Sequence, residues 1–153
     1  METNNQDLAN KLNKLVEINN DRIEGYEKAM KETEDSDLKS LFTRFGSQSQ
    51  KFHAELAREV SKLGEKPVSG TTTSGKFYRA WMDIKSALTG RDRKAILSSC
   101  EFGEDVAKDT YKNVMDDNEL SSDLQGIVKK QYDELIVAHN EIKQLRDAVK
   151  VEN

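Results

Sequence analysis

The feature that most constrains this chain is a recurrence of apolar residues at steps of three and four, sustained through four long stretches. The first stripe runs Leu8, Leu12, Leu15, Ile18, Arg22, Tyr26, Met30, and the second Leu38, Leu41/Phe42, Phe45, Ser49, Phe52, Leu56, Val60, Leu63. The third runs Ile96/Leu97, Cys100, Glu104, Ala107, Tyr111, Val114/Met115, and the fourth Leu124, Ile127/Val128, Gln131, Leu135, Ala138, Ile142, Leu145, Val149. A strand alternates every second residue; steps of three and four place a stripe on one side of an α-helix. The spacing therefore predicts an all-α chain, one domain over 1–153, with helices over 5–33, 37–63, 93–116 and 122–150. A shorter helix is expected over 76–88, with Phe77, Trp81, Ile84 and Leu88 on one side.

Boundary signals agree with this division. Thr3 with Gln6, and Ser122 with Gln125, have capping-box spacing, while Ser36 or Asp37 and then Asp92 are candidate N-caps. Gly64 followed by Pro67 marks a helix stop. Two short turns and one long middle connection, Lys66 to Lys76 and beyond, define a topology. Two helical hairpins are joined by a crossover that runs along the bundle, which is the ferritin-like form of an antiparallel four-helix bundle.

Composition excludes several functions. The 153 residues suffice to bury a core without disulfides or structural metals. A net charge of -4 argues against a nucleic-acid partner, and the small basic groups (Arg91, Arg93, Lys94; Lys129, Lys130) sit among acids, as on solvated helix faces. No apolar run nears the ~20 residues that span a bilayer, so no membrane partner is expected. The opening Met-Glu-Thr-Asn-Asn-Gln-Asp does not read as a secretory signal, and Cys100 is the only cysteine; both fit a cytoplasmic protein.

The halves repeat one another. Ser36-Asp37-Leu38 falls on Ser122-Asp123-Leu124, and His53, Glu55 and Leu56 fall on His139, Glu141 and Ile142. The protein's two histidines are thus equivalents. The first and third helices match more loosely, with Asn19 on Glu104, Tyr26 on Tyr111 and Met30 on Met115. A duplicated hairpin, each copy pairing its apolar face with the other's, accounts for this pattern.

The chemistry hangs on few residues. A carboxylate-bridged two-metal centre in such a bundle takes one Glu from each of two helices and Glu-x-x-His from each of the other two. Here Gln50 precedes His53 and Ile136 precedes His139 where those acids belong, and Asn19 stands opposite Glu104. His53, His139, Glu104 and Glu101 remain as candidate ligands for a single Fe, Mn or Zn ion. The competing reading places both histidines at the flank of the core, satisfied locally. Glu104 lies on an apolar stripe and needs a partner; Arg22 is the natural one, with Tyr26 or Tyr111 as donors. Gly70 to Lys76 imitates a phosphate-binding loop, but Phe77 stands where Ser or Thr must hold magnesium and no strand precedes it, so no nucleotide is expected. Cys100, on an interior stripe, reads as an inert core thiol, and Phe77 and Trp81 as anchors of the crossover. No catalytic residues can be assigned.

Several stretches carry a resemblance. Asn19 to Ala29, Gln48 to Leu56, Tyr78-Arg79-Ala80-Trp81, and Cys100-Glu101-Phe102-Gly103-Glu104-Asp105 resemble an uncharacterised bacterial family of ferritin-like four-helix-bundle proteins, classed as a domain of unknown function. The resemblance spans essentially the whole chain and implies a ferritin-like fold in a bacterial cytoplasmic protein, with no established activity. The departures at Asn19, Gln50 and Ile136 count against iron oxidation or storage. The leading expectation is a non-enzymatic, stress-related bundle acting by assembly or partner binding; the alternative is a metal-binding protein or metal-dependent oxidoreductase with a degenerate site. Homo-oligomerisation stays open, and the protein partner is unknown.

Overall fold

Each apolar stripe becomes the buried side of a helix. The computed structural model describes residues 5–70, 86, 92–116 and 120–151. Its elements are α1 (Asn5–Glu32), α2 (Ser36–Lys62), α3 (Arg93–Met115) and α4 (Ser122–Val151), with no strand among the described residues. Among the described residues these four helices make an all-α chain, consistent with a four-helix bundle. Of the expected helix over 76–88 only Ser86 is described, and it is helical; the anchors Phe77 and Trp81 lie outside the described residues, as do Thr3 and most of the phosphate-loop imitation.

Helix α1 packs mainly on α2 and α3 mainly on α4, and the pairs meet through α1 with α3 and α2 with α4. Two apolar clusters result. One gathers Leu8, Leu12 and Leu15 of α1 with Phe52, Leu56 and Val60 of α2, Tyr111 of α3 and Leu124 and Val128 of α4. The other gathers Tyr26 and Ala29 with Leu38, Phe42 and Phe45, Leu97 and Cys100, and Ala138 and Ile142. In the second, the Tyr26 ring stacks on Phe42 and meets Phe45 edge-on. Each large side chain removed from water contributes roughly 1.5–3 kcal/mol, and the stripe of α2 buries eight residues from Leu38 to Val60.

The helix ends explain the turns. Gly64 takes φ +81° after α2, a left-handed conformation that glycine adopts without strain. Asp92 caps α3, its side chain accepting from the Ala95 amide. The other expected caps are corrected. Asp35, not Ser36 or Asp37, holds the N-cap position of α2, and it makes no side-chain cap bond. Arg93 draws both Asp35 and Asp37 away to the start of α3, where charge-assisted pairing outweighs a cap. At α4 the cap is Ser121, whose Oγ accepts from the Leu124 amide, and Gln125 donates to the Met115 carbonyl.

The chain leaving α2 is strapped to α1. Asn13 accepts from the Val68 amide and donates to the Lys66 carbonyl, while Asn20, two turns on, donates to the carbonyls of Val68 and Gly70. Those bonds satisfy backbone groups of the segment that follows α2.

Candidate functional site

Between the two apolar clusters lies a polar layer built from buried hydrophilic residues: Arg22, Ser49, Glu104 and Gln131 on the stripes, and Asn19 beside the first. Its centre is an ion pair. Arg22 donates to Glu104 Oε1 from Nε at 3.2 Å and from Nη2 at 2.9 Å, with both side chains essentially inaccessible. Tyr26 donates to the same oxygen at 2.6 Å. The rest of the guanidinium is spent on α2, with Nη1 to Ser49 Oγ at 2.7 Å and Nη2 to Gln48 Oε1 at 3.2 Å. Burial works against the Arg22 charge, yet Glu104 beside it carries the guanidinium's pKa above its ordinary value. Burial, then the Glu104 carboxylate, pushes the Tyr26 hydroxyl well above 10. Glu104 Oε2 has no hydrogen-bond partner among the described residues.

A second chain of bonds crosses the same layer. Asn19 donates to the Tyr111 hydroxyl at 2.8 Å, Tyr111 donates to Gln131 Oε1 at 2.7 Å, and Gln131 reaches the Phe52 carbonyl at 3.4 Å. All four helices are linked. The two networks are reciprocal: Asn19 of α1 bonds Tyr111 of α3, and Tyr26 of α1 bonds Glu104 of α3. These are the residues that the sequence repeat pairs, exchanged between partners.

The four candidate ligands therefore separate. Glu104 is committed to Arg22 and Tyr26, as its place on an apolar stripe demands. His139 and Glu101 lie elsewhere, on the flank of the α3–α4 pair. There, ligand atoms of Glu101, Asp105 and His139 fall within 4.8 Å of one another, each side chain half-buried. His139 Nε2 is 2.7 Å from Asp105 Oδ1, and Arg146 pairs with Glu101. His53 joins no such group among the described residues; it is half-buried, its Nδ1 is enclosed without a partner, and Gln50 before it is exposed. The inward polar residue of that turn is Ser49, so the Gln50–His53 edge of α2 is rotated away from the polar layer.

Sequence reasoning missed Asp105 and Arg146 as members of the flank cluster. The signal for Asp105 was present: it follows Glu101 by four residues, one helical turn on the same face. Arg146 carried none, because its meeting with Glu101 depends on how α4 packs against α3. Cys100 is fully buried, and burial followed by the Glu104 charge pushes its thiol far up, leaving it protonated and unreactive.

A search of curated proteins found no match to this chain. A family model, the domain of unknown function DUF2383, matches residues 7–117. That span takes in α1, α2 and α3, with both partners of the buried ion pair and with Glu101 and Asp105. His139, Gln131 and Arg146 on α4 lie beyond it. Because the match covers most of its length, the chain belongs to the DUF2383 family, whose function is not known.

Proposed function

We propose that this chain is one antiparallel, ferritin-like domain of two duplicated hairpins that acts without catalysing a reaction, by assembly with copies of itself or by binding a partner. The observation that carries this reading is the Arg22 guanidinium, fixed by four hydrogen bonds to Glu104, Ser49 and Gln48 at the centre of the bundle's polar layer. In a metal-bearing bundle the inward carboxylates of such a layer hold ions. Here the chain supplies its own cation, and the carboxylate's donors are protein groups. Reciprocal bonds support the antiparallel, duplicated arrangement: the earlier residue of α1, Asn19, meets the later residue of α3, Tyr111, and the later Tyr26 meets the earlier Glu104.

Iron(II) oxidation under air is the direct test. The expected rate with protein equals the rate in buffer. Oxidation faster than buffer that disappears in Glu104→Gln would overturn the proposal. Sedimentation velocity over a range of concentrations examines the assembly half, and a concentration-dependent shift is expected where assembly is the mode of action.

A second reading is favoured by one specific observation, the convergence of Glu101, Asp105 and His139. One imidazole and two carboxylates suit a divalent transition-metal ion. On this reading the metal sits on the flank of α3 and α4, shares His139 and Glu101 with the set expected from sequence, and leaves Glu104 and His53 out.

A further inference from the structure

The flank cluster already contains a cation, and that sets how it would meet a metal. Arg146 of α4 pairs with Glu101 Oε2, and it also reaches Asp147 Oδ1 at 3.1 Å. Arg146 and Glu101 are largely covered, at 20% and 16% exposure, whereas Asp147 is open to solvent at 51%. The guanidinium thus has one partner inside the cluster and one outside it. Lys108 approaches Asp105 more loosely, at 3.6 Å from the outer surface of α3. His139 Nε2 faces Asp105 at 2.7 Å, so the same nitrogen that would ligate a metal is engaged with a carboxylate that would ligate it too.

We propose that Arg146 is a displaceable internal cation in a divalent-metal site formed by Glu101, Asp105 and His139. This rests on the second reading above. Metal binding frees Arg146 from Glu101, and the guanidinium retains Asp147, so no buried positive charge is stranded. The carboxylates supply two negative charges and the imidazole a borderline nitrogen, which matches Zn(II) or Mn(II) better than calcium, whose ligands are all oxygens. Because the resident guanidinium competes for Glu101, affinity in the native chain is held below what the three ligands alone would give.

The test is calorimetric titration of Zn(II) and Mn(II) into the full chain after chelator treatment, with Co(II) absorption to report an imidazole ligand. Arg146→Gln is expected to tighten binding by roughly fivefold to tenfold, the equivalent of one ion pair of this burial. Arg146→Lys, which keeps the charge, is expected to bind as the native chain does, and His139→Ala is expected to lose the metal and the Co(II) signature. Circular dichroism and melting of each variant separate loss of ligand from loss of fold. No binding by either the native chain or Arg146→Gln sinks the site and the second reading together. Equal affinities in those two, with loss in His139→Ala, leave the site standing and overturn the role of Arg146. Binding that survives His139→Ala places the metal elsewhere and overturns the inference.

Discussion

At the scale of single residues, Arg22 and Glu104 are the most consequential pair. A buried charge without its partner costs far more than the intact pair contributes. Glu104→Leu is therefore expected to lower unfolding free energy by about 3–5 kcal/mol in urea titration, and Arg22→Met by a similar amount. The double variant is expected to recover most of that loss, because two apolar side chains of similar volume leave no charge stranded; additive losses would contradict the assignment. The tyrosines make a separate prediction. Burial raises both Tyr26 and Tyr111 above the ordinary value near 10. The folded state thus holds protons that the unfolded chain releases, and the stability they contribute is complete below pH ~10 and lost as pH rises beyond it. Urea midpoints measured from neutral to strongly alkaline pH should fall above that point, and Tyr111→Phe should flatten the fall. The residue-level reading of the sequence was strongest here: an acid on an apolar stripe demands a donor, and Arg22 and Tyr26 were the donors at helical spacing on a neighbouring stripe. It was weakest for His53. A helix stripe is a range of angles, and position 53 lies at its edge, where one-dimensional spacing does not separate core from flank.

At the scale of elements, periodicity carried the four helices and their buried faces, because packing of an amphipathic face dominates helix stability. All eight buried residues of α2 belong to its stripe. Caps were less legible, since a cap competes with any other partner in reach. Asp92 keeps its capping bond because no cation takes its carboxylate among the described contacts. Asp35, at the N-cap position of α2, makes no such bond, because Arg93 arrives from another helix, an event that local sequence does not contain. Asp92→Ala should accordingly cost about 1 kcal/mol, the usual worth of a side-chain N-cap, read as a lowered urea midpoint. Asp92→Asn, which retains the acceptor, should leave the midpoint nearly unchanged.

At the scale of the whole molecule, the α1–α2 and α3–α4 pairs meet through bonds that are reciprocal in geometry but not in sign. Tyrosines stand in matching places, yet α1 brings Arg22 and the neutral Asn19, whereas α3 brings Glu104 and the small Ala107. Pairing α1–α2 with a copy of itself would set two Arg22 guanidinium groups in the polar layer without Glu104. Pairing α3–α4 with a copy of itself would enclose two carboxylates and no guanidinium. Each stranded charge costs several kcal/mol, so pairing like halves is disfavoured, whereas the unlike pairing sets Arg22 against Glu104. The ion pair at the waist thus works as a password between the halves: each carries the charge that the other needs.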